Sequence, residues 1–361
     1  MTYHWIDQPA RLAEMASTLA TDRPLFLDTE FMRERTFWPR LALVQVNAGE
    51  QGIWLIDPTT MTDDPAPLTQ LLSGRTLVMH ACSEDIEALR MHTGEAPAAI
   101  RDTQIAAALT GHDLQCSYQR LVRDLTGTEL PKDATRTDWL RRPLSEQQLA
   151  YARDDVVWLP ELLSLLEARL AELARTGWWH EECDRQLAQA TVVGDPEDAW
   201  RQVKGAGNLS GVALARLVVL ARWRDIQARE RDMPRGFLVR DPAMLALAQE
   251  APTRREQLAA LDLHPSTIRR DGETLLALLR EGEQQTPPPA LPGPPTPEER
   301  ALIKALRSRV AEIAEALQLS PEVLMRRRWL EALARHPEQL PEPLLGWRHE
   351  VVTRPLLEML P

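Results

Sequence analysis

Long apolar segments and cysteines are both scarce in this 361-residue sequence. No apolar run approaches the roughly 18 residues that a membrane-spanning helix needs, and the N-terminus has neither the basic region nor the cleavage site of a secretory signal. The three cysteines, Cys82, Cys116 and Cys183, lie far apart without C-x-x-C spacing, so neither a disulfide framework nor a zinc site is indicated. We therefore expect a cytoplasmic protein that has no membrane partner.

An excess of positive charge is also missing. The chain has 42 Lys and Arg residues against 53 Asp and Glu residues, a net charge of −11. This balance argues against a protein that holds nucleic acid through its overall field. The acids are concentrated in residues 1–180, which carry 17 basic and 26 acidic side chains. Such an excess is either a solubility feature or a carboxylate cluster that divalent cations neutralise.

The first half of the chain has the pattern of an α/β domain. Its length and its 44% of apolar residues allow two or three domains with cores of their own. Three strand-like segments, PLFLDTEF, LALVQV and GIWLI, follow one another at hairpin spacing and predict antiparallel strands. We expect an α/β domain at 1–190, in which a mixed sheet is flanked by helices. The other predicted elements are helices at 66–72, 83–91, 102–110 and 118–126 and a strand at 76–79.

The second half is predicted to be helical. Ser145 and Gln148 form a capping box, and the helix that they begin should run unbroken towards residue 175. Beyond residue 190 the helices are amphipathic and rich in Ala and Leu. Seven prolines among residues 286–297 predict a stiff, extended linker. The linker separates all-α domains at 191–285 and 298–361, whose FLVRDPAMLALAQEAP and VLMRRRWLEALARHP segments favour an internal duplication.

Acidic residues occur at positions where a core would normally be apolar. Asp28 and Glu30 are two apart in the first long strand and therefore share one face. Ionised carboxylates in such a strand are costly unless they are paired or bound to metal, although an open sheet edge would also accommodate them. Asp85 lies in the first helical turn after strand 76–79, where α/β sheets often bind ligands. A contact with the helix dipole explains Asp85 equally well, and Asp102 is interpreted in that way alone.

A tyrosine and a fourth acid share a helix face further along the chain. Tyr151 and Asp155 are four residues apart, whereas Asp154 points about 100° away. Four carboxylates without a matching number of Lys or Arg residues in the same motifs would repel one another unless cations hold them together. The set therefore predicts a site for divalent cations that hydrolyses phosphodiesters, with the phenol orienting water. A Cys-His nucleophile made of His80 and Cys82 is rejected, because acids dominate the region.

These acids lie in motifs that resemble a known superfamily. LDTEF, HACSEDIEAL and YARDDVVWL are similar to the three exonuclease motifs of the DEDD superfamily, and Tyr151 matches its tyrosine-bearing subgroup. Nearly the whole chain resembles the ribonuclease D family, including FLDTEFMRERTFWPRLALVQ, DATRTDWLRRPLSEQQ and ARERDMPRGFLV. The resemblance implies a DnaQ-like (ribonuclease H-like) exonuclease domain followed by two helical domains of the HRDC type.

The resemblance also implies a chemistry for the site. It assigns Asp28, Glu30, Asp85 and Asp155 to metal binding, with two Mg²⁺ or Mn²⁺ ions as cofactors, and Tyr151 to positioning the nucleophile. The expected reaction is 3′→5′ removal of nucleotides from RNA as nucleoside 5′-monophosphates, particularly from tRNA precursors. A DNA-directed exonuclease of the same superfamily, and a nucleic-acid-binding module with a vestigial site, remain as alternatives. No protein partner is predicted.

Residues that could hold the nucleic acid follow the first acidic strand. Arg33, Arg35, Phe37 and Trp38 alternate basic and aromatic side chains that could contact phosphates and stack a terminal base. A second basic group, which precedes the Tyr151 helix, could approach the same cleft. Solvated loops are the alternative for both groups, and solvated faces for the arginine runs at 222–235 and 326–328. The members of the second basic group are Lys132, Arg136, Arg141 and Arg142.

Overall fold

The structure, a computed structural model, describes residues 2–131 and 137–360. The chain separates into two compact units. The first unit comprises Met1–Met32, Arg40–Thr191 and Pro295–Pro361, and the second comprises Arg33–Pro39 and Val192–Pro294. Among the described residues, no helix combines the length and the low polarity that crossing a membrane requires.

A six-stranded mixed sheet forms the centre of the first unit. The strand order is β1-β4-β3-β2-β5-β6. β3 is antiparallel to β2 and β4, as predicted, while the pairs β1–β4, β2–β5 and β5–β6 are parallel. The strands are β1 (His4–Ile6), β2 (Leu25–Met32), β3 (Arg40–Asn47), β4 (Ile53–Ile56), β5 (Thr76–Met79) and β6 (Ala99–Asp102).

Helices cover both faces of this sheet. All residues of β3 after Arg40 are buried, which is characteristic of a strand that is covered on both sides. Leu25 and Leu27 face the larger core together with Leu89, whereas Leu43 faces a smaller core together with Ala152. The helices from this part of the chain are α1 (Pro9–Thr18), α2 (Ala66–Leu72), α3 (Ser83–Thr93), α4 (Thr103–Leu109), α5 (Tyr118–Thr126), α6 (Glu146–Val157), α7 (Leu159–Glu172) and α8 (Thr176–Thr191).

The long helix predicted from Ser145 to residue 175 is in fact two helices. α6 ends at Val157, and α7 begins at Leu159 with Pro160 in its first turn. Proline lacks an amide hydrogen and its ring clashes with the preceding helical turn, so it favours a new start at this point. The prediction of one continuous helix to residue 175 was therefore wrong.

The second unit is helical and has its own apolar core. Trp200, Leu217, Leu247 and Leu275 are buried in it. Short 3₁₀ segments at Pro196–Gln202 and Ala206–Asn208 precede its first α-helix. Its helices are α9 (Gly211–Glu230), α10 (Arg235–Leu238), α11 (Asp241–Glu250), α12 (Arg255–Leu258) and α13 (Pro265–Gln284).

The C-terminal helices belong to the first unit. Thr296 caps the first of them through a capping box with Glu299. The stacked rings of Trp178 and Trp347, with centroids 4.3 Å apart, join α8 to the C-terminal segment. The helices are α14 (Pro297–Leu317), α15 (Pro321–Leu324), α16 (Arg327–Arg335), α17 (Gly346–Arg348) and α18 (Arg354–Leu357), with a π-helical turn at His349–Thr353.

Candidate active site

Three carboxylates from two distant segments of the chain meet above the smaller core. β2 is paired with β5 only at Leu25 and Phe26, so its later residues extend past the end of β5. Asp28 and Glu30 lie on this extension, as period-two alternation predicts, and Asp155 of α6 joins them. One oxygen of each of the three carboxylates lies within 4.8 Å of the other two. Chain segments more than 120 residues apart thus form one acidic cluster.

α6 presents Tyr151 beside Asp155. The helix start is fixed by the predicted capping box, in which the Gln148 amide donates to Ser145 Oγ at 3.2 Å and the Ser145 amide donates to Gln148 Oε1 at 3.0 Å. The Tyr151 ring lies 6.1 Å from the ring of the buried Trp139, centroid to centroid. Asp154 instead pairs with Arg153 at 2.6 Å. This geometry supports the choice of Asp155 over Asp154.

Asp85 reaches the site from the other side of the sheet. It lies in the first turn of α3 and is buried, and Thr29 Oγ1 donates a hydrogen bond to its Oδ1 at 2.5 Å. Thr29 lies between Asp28 and Glu30 in β2 and therefore points to the opposite face. Thr29 was not predicted to belong to the site, although a hydroxyl between two acids in a strand was the available signal.

The four carboxylates all hold their protons more tightly than in water. Burial, followed by the charges of Asp85, Asp155 and Glu30, raises the pKa of Asp28 well above its ordinary value. Burial and the neighbouring acids raise the pKa of Glu30 to about 9. Burial also raises the pKa of Asp155 to about 7 and that of Asp85 to about 6, although hydrogen bonds from Tyr151 and Thr29 oppose it. Like charges have therefore been brought together at an electrostatic cost.

Among the described residues, no cation offsets this cost. Within residues 2–131 and 137–360, no Lys, Arg or His forms an ion pair with any of the four acids. Asp155 Oδ2 is buried and has no hydrogen-bond partner. An orphaned carboxylate oxygen beside two further carboxylates matches the all-oxygen ligand sets of Mg²⁺ and Mn²⁺. The residues present therefore fit a divalent cation.

The residues expected to bind the nucleic acid have different environments. Phe37 is buried, and the guanidinium groups of Arg229 and Arg235 lie 5.6 and 4.9 Å from its ring centre. Its ring has no open face for a base, so stacking on Phe37 was a wrong prediction. Arg33 Nε donates to the Phe37 carbonyl at 3.0 Å. Arg35 is exposed and Trp38 is half-buried, while Lys132 and Arg136 lie outside the described residues.

Arg142 has a structural partner instead of a substrate contact. Its guanidinium donates two hydrogen bonds to Asp57, at 2.6 and 2.7 Å, and another to the Ala42 carbonyl at 2.6 Å. Its suggested approach to the cleft was therefore wrong.

Asp102, His80 and Cys82, which were not predicted to be catalytic, have structural roles. Asp102 caps α4, accepting from the amide of Gln104 at 2.7 Å, as interpreted. His80 contacts the Thr103 hydroxyl and the Cys116 carbonyl, while the Cys82 thiol donates to Asp102. His80 and Cys82 therefore form no catalytic pair.

Comparison with known proteins agrees with this geometry. Residues 3–171 match the sequence model of a 3′-5′ exonuclease family, and residues 213–279 match that of the HRDC domain. HRDC similarity is thus found for one helical segment, and an HRDC-type domain at 298–361 stays a prediction.

Similarity to individual proteins extends over the whole chain. Ribonuclease D of Pseudomonas paraeruginosa is 41% identical over 99% of this chain and 97% of its own length. Ribonuclease D of Escherichia coli is 36% identical over 100% and 99%. The crystal structure of E. coli RNase D, described as an exoribonuclease involved in structured RNA processing, superposes with a TM-score of 0.93 at 35% identity, covering both chains fully.

Proposed function

The chain belongs to the ribonuclease D family of 3′→5′ exoribonucleases, and we propose that Asp28, Glu30, Asp85 and Asp155 bind its catalytic metal ions while Tyr151 positions the attacking water. The observation that carries this assignment is the convergence of three carboxylates within 4.8 Å, none of which forms an ion pair with a described basic residue. Two Mg²⁺ or Mn²⁺ ions are the proposed cofactors. When bound, such ions supply activation of water and stabilisation of the leaving oxygen.

The four acids would contribute to metal binding in different ways, because they lie on different sides of β2. Asp28, Glu30 and Asp155 present oxygens to a common point. Asp85 lies on the opposite side of β2, where the Thr29 hydroxyl fixes one of its oxygens. The second Asp85 oxygen is thereby left to act directly or through water. Because the raised pKa values favour protonated carboxyls, cation binding must displace protons from this site.

Tyr151 can orient water without acting as its base. Burial, followed by the charges of Asp155, Glu30 and Asp28, raises the phenol pKa above its ordinary value. The hydroxyl therefore keeps its proton at neutral pH, and its oxygen lone pairs and its proton are available for hydrogen bonds. Its position on α6, one turn before Asp155, places the phenol at the edge of the acidic cluster.

The proposed substrate is a free RNA 3′ end, particularly that of tRNA precursors, with nucleoside 5′-monophosphates as products. The purified full chain should shorten a 3′-labelled RNA one nucleotide at a time with Mg²⁺ or Mn²⁺, and should be inactive in EDTA. A DNA of the same sequence should react more slowly if the 2′-hydroxyl is read. tRNA carrying a 3′ extension should be trimmed faster than an unstructured RNA of the same length.

Two outcomes would contradict the proposal. Equal activity in EDTA would remove the metal ions from the mechanism. RNA binding in EDTA, combined with no nucleotide release under any divalent cation, would favour a binding module with a vestigial site.

A further inference from the structure

A second cavity in the first unit lies away from the acidic cluster. Its volume is about 610 Å³, and neither Tyr151 nor any of the four acids lines it. One wall comes from α4 and α8 and includes Gln104 and Gln189. The facing wall is the C-terminal segment that contains Val323 and the arginines 326–328. The volume lies within the range of pockets that hold organic ligands, and exceeds what a single small anion needs.

The acids that line this cavity all have hydrogen-bond partners within the protein. Asp102 accepts hydrogen bonds from the Cys82 and Gln104 amides at 3.1 and 2.7 Å and from the Gln186 side chain at 3.0 Å. Glu182 pairs with Arg185 and Arg348, and it accepts a hydrogen bond from the Trp347 indole at 2.8 Å. Glu322 accepts from the Ser320 hydroxyl at 2.5 Å. Arginines therefore neutralise Glu182, whereas Asp102 and Glu322 accept only from uncharged donors.

Two of the lining arginines, in contrast, lack a carboxylate. Arg327 pairs with Glu331 at 2.7 Å, but among the described residues Arg326 and Arg328 have no acidic partner. Their guanidinium groups lie 5.1 and 5.9 Å from the ring centre of the buried Trp329. A cation–π contact orients a guanidinium without using its N–H donors. Both side chains are exposed, on a protein whose net charge is −11.

From these contacts we propose that the cavity binds phosphate groups of an RNA chain, with Arg326 and Arg328 donating to the phosphate oxygens. The planar fork of arginine matches a phosphate in two-point hydrogen bonding. Neutral amide side chains elsewhere in the cavity lining, among them Gln115 and Gln189, suit the polar edges of ribose and base. The site depends on the exoribonuclease function for the identity of its ligand, and would hold substrate at a distance from the hydrolysed bond.

The test measures RNA binding without hydrolysis. Fluorescence anisotropy with a labelled 16-nucleotide single-stranded RNA in EDTA compares the full chain with an Arg326→Ala, Arg328→Ala double variant. Removal of two phosphate contacts should weaken binding on the order of 10-fold at 0.1 M salt and lower the slope of log K against log salt by about 1.4. The matched control, Arg307→Ala with Arg309→Ala, changes exposed arginines of α14 that do not line the cavity, and should change Kd less than about 2-fold.

A second arm separates the RNA chain from free nucleotides, which offer the same phosphate chemistry. Equilibrium dialysis with AMP in EDTA should give equal binding for the parent and the double variant. Loss of AMP binding in the variant would overturn the assignment to an RNA chain and indicate a site for free nucleotide. Unchanged RNA affinity and salt slope, in a variant with the parent's circular dichroism and melting temperature, would overturn the site itself. Because no arm requires hydrolysis, inactivity of the parent enzyme would leave these outcomes readable.

Discussion

Two groups of acids in the first unit have opposite electrostatic environments. Asp57, at the end of β4, is almost fully buried and meets Arg142 in a two-point ion pair. Burial alone would raise the pKa of Asp57, but the hydrogen bonds from Arg142 and Thr59 outweigh it and hold the pKa below its ordinary value. Asp28 and Glu30, on β2 of the same sheet, form no ion pair with a described basic residue, and their pKa values are raised.

The presence or absence of a cationic partner indicates a different role for each group of acids. A buried acid that the fold uses for stability has a protein cation next to it, and removing that cation leaves an uncompensated charge. An acid cluster without a protein cation destabilises the folded state unless a cation from solution binds there. The first unit thus contains one acid in a complete ion pair and one acidic cluster that no described basic residue neutralises, for which we propose bound metal ions.

The largest effect is expected from Asp155→Asn. The variant loses one carboxylate of the cluster, and its kcat on RNA should fall about 1,000-fold or more, because metal-mediated stabilisation contributes several kcal/mol to such reactions. Single-turnover release of labelled nucleotide measures the change. The adjacent Asp154→Asn is the matched control, since Asp154 already pairs with Arg153. A similar loss in the control, or full activity in Asp155→Asn, would contradict the assignment.

On the paired side, Arg142→Ala should cost about 3 kcal/mol of unfolding free energy. The variant leaves the Asp57 carboxylate buried without its cation and also removes the hydrogen bond to the Ala42 carbonyl. Urea denaturation monitored by tryptophan fluorescence provides the measurement. The neighbouring Arg141→Ala, at an exposed position, should cost less than about 0.5 kcal/mol. Equal stability of the two variants would show that the ion pair contributes nothing.

A smaller effect is expected from Tyr151→Phe. The substitution keeps the ring beside Trp139 but removes the hydroxyl, and kcat should fall about 10- to 100-fold, as for loss of a group that orients the nucleophile without titrating. KM should stay near the parent value, whereas a general packing defect would change KM as well. Tyr3→Phe serves as the control, because it removes a phenol hydroxyl from the residue that precedes β1. An undiminished rate in Tyr151→Phe would remove its proposed role.

Much of the site could be predicted because its signals are local in sequence. The two-residue spacing of Asp28 and Glu30, and the four-residue spacing of Tyr151 and Asp155, fix shared faces whatever the rest of the chain does. The capping box at Ser145 likewise depends on three consecutive residues after it. These three expectations are confirmed by the structure.

The features that were missed depend on contacts between distant segments. Thr29 and Asp85 are 56 residues apart, and Asp57 and Arg142 are 85 apart, so no spacing rule connects them. The strands β1 and β6 have three and four residues, too few for alternation to show. Phe37 was predicted to stack a terminal base, but arginines of α9 and α10 lie against its ring in the folded chain.

The smallest predicted effect concerns pH and the unpaired cluster. An acid whose pKa is raised on folding stabilises the protein below its unfolded pKa, near 4, and loses that contribution as pH rises through the folded pKa. For Glu30 that window extends from about 4.5 to about 9. In EDTA, Glu30→Gln should therefore melt a few degrees above the parent at pH 8, with a smaller difference at pH 5.

Addition of Mg²⁺ should reverse this order. Binding to the folded state alone stabilises the parent by mass action, whereas Glu30→Gln has lost one ligand and should gain less. The exposed Glu34→Gln is the matched control and should follow the parent under all four conditions. Asp57 cannot produce the same signal, because its lowered pKa makes its contribution to stability constant near neutral pH and lost only at acid pH. A parent that melts equally with and without Mg²⁺ at pH 8 would mean that repulsion within the cluster is not relieved by this cation.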